Sequence, residues 1–183
     1  MKKSILTLAL AVGAFTMTFA QKMVSEKGQI SFLSHTSIED IKAENSKIKS
    51  SLDMGTGDLI ISVPMQSYKF ENATMQKHYN SAKFLDTKQF PKSKFKGKIT
   101  NLSDIDFGTD GTYDAKVKGT LTMHGEMNPV IESAKITVAG STVTLNSTME
   151  ITLADYKVAF EKGKPSKSIA KTIDTKTTIE FTK

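Results

Sequence analysis

The residue types that most often perform chemistry are sparse in this chain, which has three histidines and no cysteine. The histidines, His35, His78 and His124, have no partner histidine at helical ligand spacing and no carboxylate at a metal-ligand offset. Tetrahedral and catalytic metal sites need such clusters. The sequence therefore predicts no metal site, and thiol chemistry is impossible.

Catalytic motifs are missing as well. No nucleophile elbow, phosphate-cradling glycine loop or HExxH helix occurs. Asp155 stands beside Tyr156 at a predicted strand end, where we interpret it as a carboxylate that organises a turn. We therefore expect a protein that is not an enzyme and that carries no cofactor.

The N-terminus has the pattern of a secretory signal peptide. Lys2 and Lys3 precede an apolar run from Ile5 to Phe19, and the small residue Ala20 follows. The run of about fifteen residues is shorter than the roughly twenty that a membrane-spanning helix needs. We expect cleavage of residues 1–20, one domain over residues 21–183, and a periplasmic or secreted location.

The positive net charge of +6 is carried by 25 basic residues, all of them lysine. Specific recognition of phosphates and bases favours the arginine fork. The lysines instead alternate along strands, as in Lys94, Lys96 and Lys98, which places them on one solvated sheet face. We expect no nucleic-acid partner and at most transient contact with a membrane surface, while the oligomeric state stays open.

Most of the chain after Gln29 alternates apolar and polar residues with period two, which predicts about eight half-buried antiparallel strands. One segment, Asn72–Phe84, has the helical period instead, with Asn72 as its N-cap. The predicted fold is all-β with one inserted helix, an antiparallel eight-stranded lipocalin-like β-barrel. We expect the Met75–Phe84 helix to cover one end of the barrel.

Small residues interrupt the inferred inner face, notably Gly97, Ala115, Gly119 and Ser147. An eight-stranded barrel has room for either its own side chains or one small ligand. The two glycines either leave cavity volume or relieve strain where the sheet bends. Both interpretations stay open at this point.

Three motifs carry a resemblance to a known family. The segments Met75–Gly97, GTLTMHG (Gly119–Gly125) and ITLADYKV (Ile151–Val158) are similar to the helix, the central strand and the late strand of the YceI-like family. Almost the whole mature chain takes part in the resemblance. It departs at Glu126–Asn128, where the family commonly has Val-Thr-Lys. The resemblance implies a lipocalin-like barrel that binds polyisoprenoid lipids.

The leading hypothesis is an exported protein that encloses an isoprenoid or a similar long apolar lipid. The alternatives are an enzyme acting on a hydrophobic substrate in the same cavity, and a ligandless envelope-stress or interaction barrel. In the leading hypothesis, His78 is either a polar group at the cavity mouth or a structural histidine. Strand parity and the helical stripe predict these ligand-binding residues: Phe32, Leu59, Ile61, Val63, Phe70, Met75, His78, Tyr79, Phe84, Phe90, Phe95, Val117, Gly119, Leu121, Leu145, Met149 and Ile179.

Overall fold

The computed structural model describes residues 22–158 and 169–183, so the predicted signal peptide lies outside the described residues. These residues form one antiparallel sheet and one α-helix, α1 (Ala73–Asn80). The strands are β1 Lys22–Ser25, β2 Lys27–His35, β3 Asp40–Asn45, β4 Lys49–Asp53, β5 Asp58–Pro64, β6 Lys69–Phe70, β7 Lys92–Ile99, β8 Gly111–Met123, β9 Glu126–Ala139, β10 Thr142–Thr152 and β11 Thr172–Thr182.

The eleven strands are the pieces of eight continuous ones. β1 pairs with β4 and β2 pairs with β3, and the paired residue numbers add up to 75 in both ladders. β1–β2 and β3–β4 are therefore the two arms of a single long hairpin. β5 and β6 pair with β4 and β3 respectively, so they form a third strand that a short 3₁₀ turn, Met65–Ser67, interrupts.

The sheet closes on itself because β2 pairs with β11 on one side and with β3 on the other. The remaining neighbours follow chain order, from β4–β5 through β5–β7, β7–β8, β8–β9 and β9–β10 to β10–β11. An up-and-down meander of eight strands results, which confirms the predicted fold class. Closure also removes most of the free sheet edges that otherwise invite aggregation.

The turn between β8 and β9 is tight. Met123 pairs with Glu126, so only His124 and Gly125 form the turn. Their φ angles are 52° and 81°. A two-residue hairpin turn with both φ values positive matches the twist of the strands, and glycine adopts that conformation at no steric cost.

The inserted helix is shorter than predicted. Asn72 caps it as expected, since its side-chain oxygen accepts hydrogen bonds from the amides of Thr74 (2.8 Å) and Met75 (3.4 Å). The helix nevertheless ends at Asn80, because the Ser81 hydroxyl and amide both donate to the His78 carbonyl and turn the chain away. Phe84 therefore lies beyond the helix. Among the described residues, no helix has the length and apolar character needed to cross a membrane.

One half of the barrel interior is packed solid. It is the half remote from α1, where β7 ends, β8 begins and the β9–β10 turn lies. Its core consists mainly of branched aliphatic side chains with one phenylalanine, all of them at most 2% exposed: Ile48, Leu52, Ile99, Ile136, Val138, Val143, Ile179 and Phe181. The other half is hollow.

Candidate functional site

An apolar cavity of about 550 Å³ occupies the half of the barrel next to α1. Every part of the meander contributes to its wall, and α1 with the chain around it lies at the open end. The volume falls in the range of cavities that hold small organic ligands. The lysine side chains of β7 and β8, including Lys96 and Lys118, are exposed on the outer face, as strand parity predicted.

Fourteen of the seventeen predicted ligand-binding residues lie on the cavity wall. That they contact a ligand stays a prediction. The fourteen are Phe32, Leu59, Ile61, Val63, Phe70, Met75, His78, Tyr79, Phe84, Phe95, Val117, Leu121, Leu145 and Met149.

Three predicted residues lie elsewhere. Ile179 is fully buried in the packed half and is not part of the cavity wall. Phe90 lies against the β8–β9 turn, with its ring centroid 4.7 Å from that of His124. Gly119 faces Gly97 across the β7–β8 ladder.

The glycine pair serves packing and contributes no cavity volume. A Cβ atom on Gly119 would lie 2.6 Å from the Gly97 Cα atom and 2.6 Å from the Phe95 ring. A Cβ atom on Gly97 would lie 2.4 Å from the same ring. The two glycines therefore let the Phe95 ring lie flat over the strands, in place of the side chains they lack.

Four aromatic rings pack beneath α1 at the open end of the cavity. Tyr79 projects from the helix, and its ring centroid lies 5.0 Å from Phe70, 5.6 Å from Tyr68 and 6.1 Å from Phe32. These distances are typical of favourable aromatic pairs. The cluster fixes the helix to the barrel and forms part of the wall.

The two tyrosines of this cluster are 8% (Tyr68) and 6% (Tyr79) exposed. Burial raises the pKa of both phenols above the ordinary value of 10, because the charged form would lose its hydration. Both hydroxyls therefore stay protonated at physiological pH. Sequence parity missed Tyr68, since it follows the 3₁₀ turn that interrupts the alternation.

Polar residues are a minority on the wall, and two of them are carboxylates, Glu39 and Glu132. Glu132 lies on β9 opposite Val117 and is half-buried, and burial raises its pKa above the usual 4.5. Its inward direction was visible in the sequence, because Glu132 has the same parity as Ala134, Ile136 and Val138. Glu132 is nevertheless absent from the predicted ligand-binding residues, which include no charged side chain of β9.

The wall has a side opening where β9 and β10 separate. Their ladder ends at Ser147 and Ala134, although β9 extends to Glu126 and β10 to Thr152. Pro129 lies in the part of β9 that pairs with β8 but not with β10, where a residue without an amide hydrogen is tolerated. A second space of about 240 Å³ lies in this gap and shares Val130, Glu132, Met149 and Ile151 with the main cavity wall.

The 3₁₀ turn Leu153–Tyr156 lies at one end of the gap between β9 and β10. The Asn128 side-chain amide donates to the Asp155 carbonyl at 2.7 Å, and the His124 Nδ1 atom lies 2.9 Å from the Tyr156 carbonyl oxygen. His124 therefore links the β8–β9 turn to this 3₁₀ turn.

The other two histidines lie at the α1 end of the barrel. His35 contacts Asp40 at 2.6 Å on the exposed β2–β3 hairpin, and His78 is exposed at the cavity rim. Among residues 22–158 and 169–183, no three histidine, aspartate or glutamate side chains come close enough to hold a metal ion.

Comparison with known proteins gives one family match over most of the chain. A model of the YceI-like domain matches residues 16–182. A curated relative, a UPF0312 protein of Vibrio cholerae, is 26% identical over 152 residues, which cover 76% of this chain and 77% of the relative.

Solved structures match the fold. A polyisoprenoid binding domain from Saccharophagus degradans, implicated in plant cell wall breakdown, has a TM-score of 0.73 at 10% identity and covers 88% of this chain and 97% of its own. BcnA of Burkholderia cenocepacia has a TM-score of 0.70 at 16% identity, with 84% and 95% coverage. The YceI protein of Campylobacter jejuni has a TM-score of 0.64 at 18% identity, with 81% and 88% coverage.

Proposed function

The chain belongs to the YceI-like domain family, and from this premise we propose that it is an exported protein that encloses one isoprenoid or similar long apolar lipid. The observation that carries the proposal is the cavity of about 550 Å³ inside the barrel, with a mainly apolar wall and an open end at α1. Similarity to the polyisoprenoid binding domain of Saccharophagus degradans supports the same class of ligand.

Burial of hydrocarbon provides the driving force. At about 25 cal/mol per Å², burying about 300 Å² of ligand surface contributes roughly 7 kcal/mol, before the entropic cost of association is subtracted. The exposed lysines on the outer strand faces, such as Lys94, Lys96 and Lys118, keep the loaded protein in solution. We propose that contact with a membrane surface, where the lipid is loaded or released, is transient.

Export is part of the proposal and is supported by the basic and apolar pattern of residues 1–20. The mature protein then begins at Gln21. An intact mass measured on protein recovered after export tests this directly, and a mass that includes residues 1–20 contradicts it.

Native mass spectrometry of the exported, mildly purified protein tests the ligand. We expect a bound species whose mass corresponds to an isoprenoid or another long apolar lipid. The variant Ser147→Phe adds a large side chain to the cavity wall and should lose the bound mass. Thr148→Phe, the outward-facing neighbour on β10, is the matched control and should retain it.

The same experiment separates the alternatives. A wild-type protein without bound lipid, and with no affinity for added isoprenoid, favours the ligandless barrel. Recovery of added lipid in a chemically altered form favours the enzyme. Recovery of the unaltered lipid, lost only in Ser147→Phe, is the result we expect of a carrier.

A further inference from the structure

The hydroxyl groups of Tyr68 and Tyr79 are the feature of the cavity that hydrocarbon binding leaves unexplained. Both side chains are more than nine-tenths buried, and burial is the chief influence on the pKa of each. Neither hydroxyl has a hydrogen-bond partner among the described residues. Buried tyrosine hydroxyls usually have one, because an unpaired buried polar group costs free energy.

These hydroxyls retain access to open space, and the open space that both tyrosines line is the cavity. In the described part of the chain, no fully enclosed side-chain polar atom lacks a partner, so an unpartnered hydroxyl must retain access to open space. Both tyrosines are on the cavity wall, and their ring centroids are 5.6 Å apart. The cavity thus contains two neighbouring hydrogen-bond donors at its α1 end.

The charge of the wall limits which ligand group these donors accept. The described wall contains Glu39 and Glu132 but no lysine, and its histidine, His78, is exposed at the rim. A phosphate or carboxylate would therefore enter a poorly hydrated space without a compensating cation there, at a considerable cost in desolvation. An uncharged oxygen acceptor would satisfy both hydroxyls without that cost.

We propose that Tyr68 and Tyr79 anchor the polar end of the ligand, donating hydrogen bonds to an uncharged hydroxyl or carbonyl oxygen at the end of an isoprenoid-like chain. This inference rests on the proposed function and names the head group of its ligand. The chain lies along the apolar wall of the barrel. The head group lies beneath α1, within the aromatic cluster.

Three probes with one carbon skeleton test the anchor in the full exported protein: farnesol, farnesyl monophosphate and the hydrocarbon farnesene. Dissociation constants are measured by calorimetry for the wild type, for Tyr68→Phe, for Tyr79→Phe and for the double variant. Tyr113→Phe is the matched control, because the Tyr113 hydroxyl donates to the Thr109 carbonyl at 2.9 Å and is not part of the cavity wall.

In the wild type, we expect farnesol to bind roughly tenfold more tightly than farnesene, the ratio that a buried hydrogen bond supports. Farnesyl monophosphate should bind more weakly than farnesol. The double variant should lose the preference for farnesol while its affinity for farnesene stays unchanged. Its thermal midpoint should equal or exceed that of the wild type, because removing an unpartnered hydroxyl leaves the fold intact.

Equal affinities for farnesol and farnesene in the wild type overturn the anchor and leave the proposed function standing. A preference for farnesol that persists in the double variant likewise overturns the anchor and leaves the proposed function standing. Phosphate binding as tight as alcohol binding overturns the uncharged head group. If none of the three probes binds, the proposed function fails and the anchor fails with it.

Discussion

The two halves of this barrel share the same strands but fill their interiors differently. In the half remote from α1, side chains such as Ile136, Val143 and Phe181 are fully buried against one another. In the half next to α1, the same inward alternation lines a cavity of about 550 Å³. Alternation therefore decides which residues face inward, but it does not decide whether their side chains fill the interior of the barrel.

The difference follows from side-chain type and from what interrupts the strands. Branched aliphatic residues, which pack well on a pleated surface, dominate the packed half. The hollow half adds aromatic and methionine side chains to its aliphatic ones, and its strands are interrupted by a 3₁₀ turn after β5, by α1 and by the gap between β9 and β10. Stability is thus expected to reside in one half and binding in the other.

Phe181→Ala gives the largest effect expected from this division. The ring is fully buried among aliphatic side chains, so its loss creates a void that costs about 3–5 kcal/mol of unfolding free energy. Phe70→Ala removes a half-buried ring from the aromatic cluster of the cavity wall and should cost only about 1–2 kcal/mol. Urea unfolding of both variants measures this, and equal losses would contradict the division into a stabilising half and a binding half.

Gly119→Ala tests the boundary between the halves. The added methyl group would lie 2.6 Å from the Lys96 carbonyl oxygen and 2.6 Å from the Phe95 ring, so backbone or ring must move. We expect a loss of about 1–3 kcal/mol in unfolding free energy. Gly111→Ala is the matched control, because its nearest contact is an ordinary 3.4 Å. If urea unfolding gives Gly119→Ala wild-type stability, the glycine pair is dispensable for packing.

The pairing of Gly119 with Gly97 also marks the limit of prediction from sequence. Local alternation correctly placed Leu59, Ile61 and Val63 inside and predicted eight strands. The helical period correctly predicted a helix with Asn72 as its cap. That Gly119 opposes Gly97 depends on the register between β7 and β8, which no local pattern encodes.

The polar part of the site was harder to predict for the same reason. Tyr68 follows an interruption of its strand, so parity counted from β5 does not apply to it. The position of its hydroxyl depends on contacts with α1 and β2, which are distant in sequence. Long-range packing therefore decides the head-group region, whereas the apolar wall follows from local alternation.

Asn72→Ala examines how far the hollow half depends on its helix. The substitution removes the oxygen that accepts hydrogen bonds from the Thr74 and Met75 amides. Loss of an N-cap costs about 1 kcal/mol, and we expect the loss to appear as faster amide hydrogen exchange within α1. Asn72→Asp retains an acceptor and should exchange like the wild type. Faster exchange in the packed half would mean that the two halves unfold together.

Glu132→Gln should have the smallest effect, and that effect should depend on pH. Burial raises the pKa of Glu132 in the folded protein, so folding favours its protonated form. The stability that protonated Glu132 contributes is fully present at a pH below the pKa of this group in the unfolded chain. It is lost as the pH rises through the higher pKa of Glu132 in the folded protein. At a pH above the folded pKa, the ionised Glu132 therefore destabilises the hollow half, and the uncharged glutamine should raise the urea midpoint slightly. The gain should vanish at a pH below the ordinary carboxyl pKa of 4.5.

Glu180→Gln, on the exposed outer face of β11, should leave the midpoint unchanged at both pH values. A gain for Glu132→Gln that is the same at both pH values would mean that the shape of the amide, and not the loss of a buried charge, stabilises the wall.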